Sequence, residues 1–299
     1  MSSLSECIPW MTVGSAESVA IVTLNLCTII VFTKNPNLRK RSTHLLINLA
    51  VIDMLAGGSA VYYQLYVVGA TCDVWKWHSF ESWPFDVLQV VMSLLPTSSL
   101  ANITIIALER THATFWAFRH RVLKKSVYGI IVAVFWATTG LVAVAYTLLK
   151  HFGELSYLTS DLTVSLVVVC LLIIFVSYVS IVIKVRCGAQ PQHHGAASRE
   201  RKLTMTLLIV TVVSLLLYLP IVIFYFLQFG RKFEILQSLY SSEYFNLSNG
   251  VITLYFANNL VNPILYAIRM PEYRSALLSL FPKRPHQQRR VVDLPLRDM

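Results

Sequence analysis

Three observations predict an all-α membrane protein: a seven-transmembrane helix bundle with a short amphipathic helix after the seventh span. The chain of 299 residues is 56% hydrophobic, only 13% charged, and has a mean hydropathy of +0.61. Soluble domains average about 25% charged residues. Seven stretches are long and apolar enough to cross a bilayer as helices, which takes about 20 residues. The basic residues fall on alternate loops.

The seven stretches are 16–33, 43–66, 83–112, 125–149, 158–185, 202–228 and 246–268. The third is the least apolar. They divide the chain into an outer N-terminal segment, 1–15, a seven-span domain, 16–268, and a tail, 269–299. Residues 1–10 show no basic region followed by an apolar run, so the first span is expected to direct insertion itself. The loop after span one carries Lys34, Arg39, Lys40 and Arg41. The next on that side carries Arg110, Arg119, Arg121, Lys124 and Lys125, and the third Lys184, Arg186, Arg199, Arg201 and Lys202. With the tail, 21 of the 25 basic residues lie on one side. Basic loops mark the cytoplasmic face, so the N-terminus is expected outside and the tail inside, at the plasma membrane. The net charge of +10 is then a topology signal and an attraction to anionic lipid, not a nucleic-acid patch.

After the seventh span, Pro271 and Glu272 suit a helix start. Tyr273, Leu277, Leu280 and Phe281 then form one apolar face, on a helix too short to span. All loops are short, and none holds a soluble domain. No two-His metal pattern, paired intramembrane carboxylates or phosphate loop is present, which argues against an enzyme.

The polar residues inside spans carry the functional signal, because such residues are costly in a bilayer and face other helices or water. The seventh span ends in Asn258-Asn259-Leu260-Val261-Asn262-Pro263-Ile264-Leu265-Tyr266. Pro263 removes a backbone donor and frees a carbonyl for a polar neighbour. Asp53 is the one acid expected deep inside a span. It must be protonated, paired or bound to a cation, and Ser99, Asn258 and Asn262 would supply oxygens. A sodium ion and a plain Asp–Asn–Ser hydrogen-bonded group are both open on the residues alone. Glu109-Arg110 closes the third span at its rim, and Glu200 at the start of the sixth would pair with Arg110. A solvated ion pair is the alternative.

Together, Asn25, Asn48-Leu49-Ala50 with Asp53, Glu109-Arg110, Trp136, Tyr178, Pro220 and Asn262-Pro263-Ile264-Leu265-Tyr266 resemble, in order and spacing, the rhodopsin-like class A G-protein-coupled receptors. The likeness covers about 25–281. It implies a receptor that binds an extracellular ligand within the bundle and activates heterotrimeric G proteins as segment six moves away from segment three. It implies a sodium-linked switch at Asp53, Ser99, Asn258 and Asn262. Arg110 would contact the G protein once released by Glu109 and Glu200. Tyr178 and Tyr266 would swing inward, and segment six would move about Pro220.

The chain also departs from that pattern. Thr111 stands for the usual Tyr after Glu109-Arg110, Tyr218 for the Trp before Pro220, Leu217 for the Cys before that, and Cys170 for the Pro of span five. Span three lacks its usual outer Cys near Phe85, and the second outer loop is very short. These features resemble the subset with melanocortin, lipid and cannabinoid receptors. Cys7 and Cys72 are the two cysteines placed on the oxidising side; they would either form one disulfide or remain two thiols. Asn246-Leu247-Ser248 is a glycosylation sequon close to the membrane. Asn102-Ile103-Thr104 lies inside span three and cannot be used.

At the positions that line the family's ligand site stand Tyr63, Gln64, Gln89, Met92, Ser93, Pro96, Tyr218, Val222, Tyr225, Ile252 and Phe256. An amine receptor needs an acid where Met92 stands, and a retinal-binding opsin needs a Lys where Phe256 stands. No retinal or other cofactor is expected. An uncharged, lipid-like or peptide ligand fits better than an amine. Two other classes remain open. An ion transporter or channel is disfavoured by the lack of inverted repeats. A ligand-binding decoy without signalling is disfavoured by the intact Glu109-Arg110, Tyr178 and Tyr266 set.

Overall fold

The computed structural model describes residues 4–38, 43–68, 72, 83–151, 156–187, 205, 208–209, 212–224 and 241–280. Nine α-helices are described: α1 (Leu4–Lys34), α2 (Thr43–Tyr62), α3 (Trp83–Phe115), α4 (Ala117–Val122), α5 (Lys125–His151), α6 (Ser156–Cys187), α7 (Val212–Phe224), α8 (Ser241–Arg269) and α9 (Pro271–Ser279). Six are long and apolar enough to cross a membrane, and α7 is the shorter apolar helix of segment six. They make a seven-helix bundle with no strand among the described residues. α4 lies in the second basic loop, and α9 follows the last span.

α1 begins at Leu4, so residues 4–15, expected as a separate N-terminal segment, continue the first span as helix. Glu6 in its first turn suits the positive end of the helix dipole. A disulfide joins Cys7 to Cys72, with Cα atoms 6.1 Å apart, and holds this extension against the end of α2. There α2 widens into a π-type turn, Tyr63–Val68. The extended α1 also places Trp10 where its Nε1 donates to Asn246 Oδ1 of α8 at 2.7 Å.

Because lipid is as apolar as a leucine side chain, buried polar side chains and close packing join the spans to one another. Pro263 cannot donate to the carbonyl four residues before it, that of Asn259. Asn25 Nδ2 of α1 takes that carbonyl at 3.0 Å. The kink of α8 is therefore also its tie to α1. Asn48 Nδ2 donates to Asn102 Oδ1 at 3.0 Å, Asn102 Nδ2 to the Leu45 carbonyl at 3.1 Å, and Trp136 Nε1 to Asn48 Oδ1 at 2.8 Å. That chain joins α2, α3 and α5, and it buries the Asn102 sequon completely. Gly57 lets α1 approach α2 closely: a Cβ there would stand 2.6 Å from Ile21. The exposed apolar surface of α5 and α6, including Ile130, Leu141, Leu172 and Phe175, is the kind that faces lipid.

α9 starts as the sequence expects, with Pro271 at its first turn. Its anchor is Tyr273, 1% exposed. Thr28 donates to the Leu24 carbonyl at 2.8 Å, so at the 2.7 Å contact it is Tyr273 that donates its O–H to Thr28. Burial pushes the Tyr273 phenol above its ordinary pKa. Phe281, expected on the same face, lies outside the described residues, while Leu277 is half-buried.

Candidate functional site

Three groups of side chains fill the bundle along its axis. The middle one centres on Asp53, fully buried. Ser99 Oγ of α3 donates to its Oδ1 at 2.6 Å, and Asn262 Nδ2 of α8 to its Oδ2 at 2.7 Å. Asn258, one turn away, is also fully buried beside the Tyr218 hydroxyl, and neither end of its amide makes a well-formed hydrogen bond among the described residues. The Asn262 oxygen has none either. Buried polar atoms are rarely left unpaired. Asn258 and Asn262 lie one turn apart on α8, and among the described residues two neutral donors, Ser99 and Asn262, hold the Asp53 carboxylate.

The second group closes the end that carries the basic loops. Arg110 lies inside the rim rather than on it, 2% exposed. Its guanidinium grips Glu109 with two donors, Nε to Oε2 and Nη2 to Oε1, the latter at 2.6 Å. His120 Nε2 of α4 also meets Glu109 Oε1 at 2.7 Å, and Tyr128 of α5 donates its hydroxyl to the same oxygen at 3.1 Å. Glu200, the other expected partner of Arg110, lies outside the described residues. Tyr178 and Tyr266 are both buried at this end. The Tyr266 ring sits between Phe32, at 5.8 Å centroid to centroid, and Tyr273, also at 5.8 Å. Pro220 lies within α7.

The third group lies toward the disulfide end. Met92 and Ile252 pack around buried Phe256, and Tyr63 packs on the cluster of Cys7, Val68 and Cys72. Gln64 is buried with its side chain against Gly14 of α1. Tyr218 is fully buried and donates its hydroxyl to the Pro96 carbonyl at 2.6 Å, while its ring meets Tyr255 edge-on at 5.4 Å. Val222 is half-buried on α7. Tyr225 and the side chains of Gln89 and Ser93 lie outside the described residues.

Sequence reasoning missed His120, Tyr128, Tyr255 and the Thr28–Tyr273 pair. Periodicity relates residues of one helix, whereas these contacts depend on how a loop helix or a surface helix folds back. One sign was available for Tyr128: it is an aromatic with a polar tip, one turn into an otherwise strongly apolar span.

A buried acid at mid-bundle, a chelated Arg at the basic end and a kinked Asn-Pro helix define a multi-pass membrane protein of receptor type. Residues 24–266 match the family described as "7 transmembrane receptor (rhodopsin family)". The chain belongs to that family, which is one of receptors and not of enzymes. It is similar to melanocortin receptor 5 of Rattus norvegicus, 22% identical over 270 residues that cover 84% of this chain and 77% of the relative. Human melanocortin receptor 5 is 23% identical over 266 residues, with the same coverage. The allatostatin-A receptor of Bombyx mori is 23% identical over 284 residues, covering 84% of this chain and 73% of that one.

Proposed function

We propose that this chain is a signalling receptor that binds an extracellular ligand within the bundle and activates heterotrimeric G proteins from its basic, cytoplasmic face. The single observation that carries this is the buried Arg110 chelated by Glu109 at the end where the basic loops gather. A buried cation held by hydrogen bonds to a neighbouring acid is a group that can change partners. Opening would draw α7 away from α3, uncover Arg110 for the G protein, and let Tyr178 and Tyr266 support the open form. A ligand shifts this balance only to the extent that it binds the open form more tightly. The N-terminus lies outside and the tail in the cytoplasm, on the distribution of basic residues.

Nucleotide exchange on a panel of Gα classes, in membranes expressing the chain, tests the proposal. Basal or extract-stimulated exchange that disappears in Arg110→Ala supports it. Exchange that persists unchanged in Arg110→Ala would sink it.

The ligand site reads as aromatic and apolar, with Met92 in place of an acid and Phe256 in place of a Lys. An uncharged, lipid-like or peptide ligand fits this better than an amine. The melanocortin and allatostatin-A receptors give the first two ligands to screen. At mid-bundle, the Asp53 carboxylate, Ser99 Oγ and the orphaned oxygens of Asn258 and Asn262 suit a sodium ion, which prefers such hard oxygens. A bound cation would neutralise Asp53 and hold the closed form. Raising sodium should then lower basal exchange in the unaltered chain and leave Asp53→Asn unaffected; equal sodium responses in both would remove the ion from this account.

A further inference from the structure

Two apolar layers cross the bundle where α1, α2 and α8 meet. The outer one is Cys7, Val68 and Cys72, with Met11, Tyr63 and Phe245 packed on it. The inner one is Ile21, Ala60 and Phe256, with Met92 and Ile252 packed on it. Each of the three helices runs from one layer to the other along a single face. In α1 that face carries Cys7, Gly14 and Ile21, spaced by seven residues. In α2 and its π-type turn it carries Val68, Gln64 and Ala60, spaced by four, and in α8 Phe245, Asn249, Ile252 and Phe256. Such spacings keep side chains on one side of a helix. The middle position is polar on α2 and α8 and bare on α1. Met11 and Ile21 stand about 15 Å apart along α1, at about 1.5 Å per residue, so a polar layer separates the two apolar ones.

Gln64 and Asn249 are both buried. The Gln64 amide takes the space that Gly14 leaves, since a Cβ on that glycine would stand 2.2 Å from Gln64 Cδ. Asn249 gives its Nδ2 to the Phe245 carbonyl at 2.8 Å, so the end of its amide left over is the oxygen. That oxygen, the Gln64 oxygen and the Thr253 hydroxyl have no hydrogen-bond partner among the described residues. Glu17, three residues past Gly14, is half-buried and likewise unpaired among the described residues. α1 and α8 run parallel: Trp10 meets Asn246, and further on Asn25 meets the Asn259 carbonyl. Glu17 and Thr253 each lie seven residues beyond the first of these contacts, so they share one level of the seam.

An acid within a span needs a partner, and carboxylate and amide oxygens accept without donating. The group that completes this layer is therefore a donor, and opposite Glu17 it is a positively charged one. The inner layer beneath it offers Met92, Ile252 and Phe256 to an apolar body. We propose that the polar layer between α1, α2 and α8 seats a cationic group, an ammonium or a guanidinium, at one end of an apolar extracellular ligand. Glu17 is its counter-charge, and the Gln64 and Asn249 oxygens orient it. The proposal rests on the reading that the ligand binds within the bundle. It narrows that ligand to an apolar molecule with one cationic end, and it moves the counter-charge from the place of Met92 on α3 to α1.

The test uses the purified full chain and two variants, Glu17→Gln and Asn249→Ala, with hexylammonium, hexylguanidinium and hexanol as probes. Thermal unfolding against probe concentration, at fixed ionic strength, reads binding without any G protein. The cations should stabilise the parent at lower concentration than hexanol does, and the tighter of the two names the head group. Losing one bond to a charged group corresponds to about tenfold in affinity. Glu17→Gln should weaken both cations by about that factor and leave hexanol unchanged. Asn249→Ala, which removes a neutral acceptor, should weaken them by about fivefold. Without probe, Glu17→Gln should unfold no earlier than the parent, because it only takes an unpaired acid out of a span. Cations that bind Glu17→Gln as tightly as the parent, or that bind the parent no better than hexanol, would overturn the proposal. If cation binding follows Glu17 while nucleotide exchange stays flat on every Gα class, the seat stands and the reading of the chain as a G-protein receptor fails.

Discussion

The two ends of the bundle are held by different kinds of bond. At the disulfide end, Cys7 is joined covalently to Cys72, and Trp10 reaches Asn246 across a sequence separation of 236 residues. Both ties run from the first turns of α1 to another span. At the basic end the described bonds to the Glu109 carboxylate are short-range and exchangeable: Arg110, His120 and Tyr128 share it, all within twenty residues of it. A covalent tie opens only by redox chemistry, whereas hydrogen-bonded ions can change partners in a bilayer-spanning bundle without unfolding it. The difference fits the proposed reading, in which the basic end moves and the other keeps its shape. The polar middle, Asp53 with Ser99 and Asn262, lies between them and touches both α3 and α8.

The strongest way to break this comparison is to cut the covalent tie. Replacing both Cys7 and Cys72 by Ser frees the first turns of α1. A native disulfide closing a loop of this kind contributes about 2–4 kcal/mol. Thermal unfolding of the purified receptor should shift down accordingly, while basal nucleotide exchange stays within about twofold of the parent. Both cysteines are buried, so mild reductant on the folded chain should act slowly. A large rise in basal exchange on cutting the disulfide would show that the fixed end also governs the switch.

Much of this division is legible in the sequence. Pro263 says that an Asn259 carbonyl goes begging, and Asn25 is the span-one amide that meets it. The apolar lengths and the basic loops give the bundle. Asp53 with Ser99 and Asn262 follows from the rule that a buried carboxylate needs donors. The first span is longer than its apolar run because Cys7 is tied to Cys72 and Trp10 to Asn246, and neither tie has a periodic signature. His120 was hidden for a related reason. It meets Glu109 only because the chain turns at Trp116 into a six-residue helix, and no spacing rule encodes that turn.

A smaller effect lies between the two ends. Tyr218 stands where the family has a Trp, and its hydroxyl bonds the Pro96 carbonyl, joining α7 to α3. Tyr218→Phe keeps the ring against Tyr255 and removes the hydroxyl that bonds the Pro96 carbonyl and lies beside Asn258. A neutral hydrogen bond contributes about 1 kcal/mol, so the closed form should lose about fivefold in population. Basal nucleotide exchange should rise by that factor with little change in unfolding temperature. A fall in basal exchange would mean that the bond belongs to the open form instead.

The smallest effect sharpens the other side of the comparison. Trp10→Phe leaves an aromatic ring near Gly250, where the Trp10 ring stands 3.4 Å from a Cβ placed on that glycine, and removes the indole donor to Asn246. One side-chain hydrogen bond, half-buried, contributes about 0.5–1.5 kcal/mol. For a chain of this size that amounts to a downward shift of about 2–4 °C in melting temperature per kcal/mol. If the disulfide end serves only as a fixed frame, this loss should appear in stability and not in basal exchange. It should also be much smaller in the chain that already lacks Cys7 and Cys72, because Trp10 is then no longer held in register with α8. Full additivity of the two losses would show that the indole and the disulfide fix α1 independently. The same contact bears on the Asn246 sequon: a helical asparagine whose Oδ1 is occupied by Trp10 makes a poor glycan acceptor. Mobility on a gel before and after removal of N-linked sugar should therefore be unchanged in the parent chain.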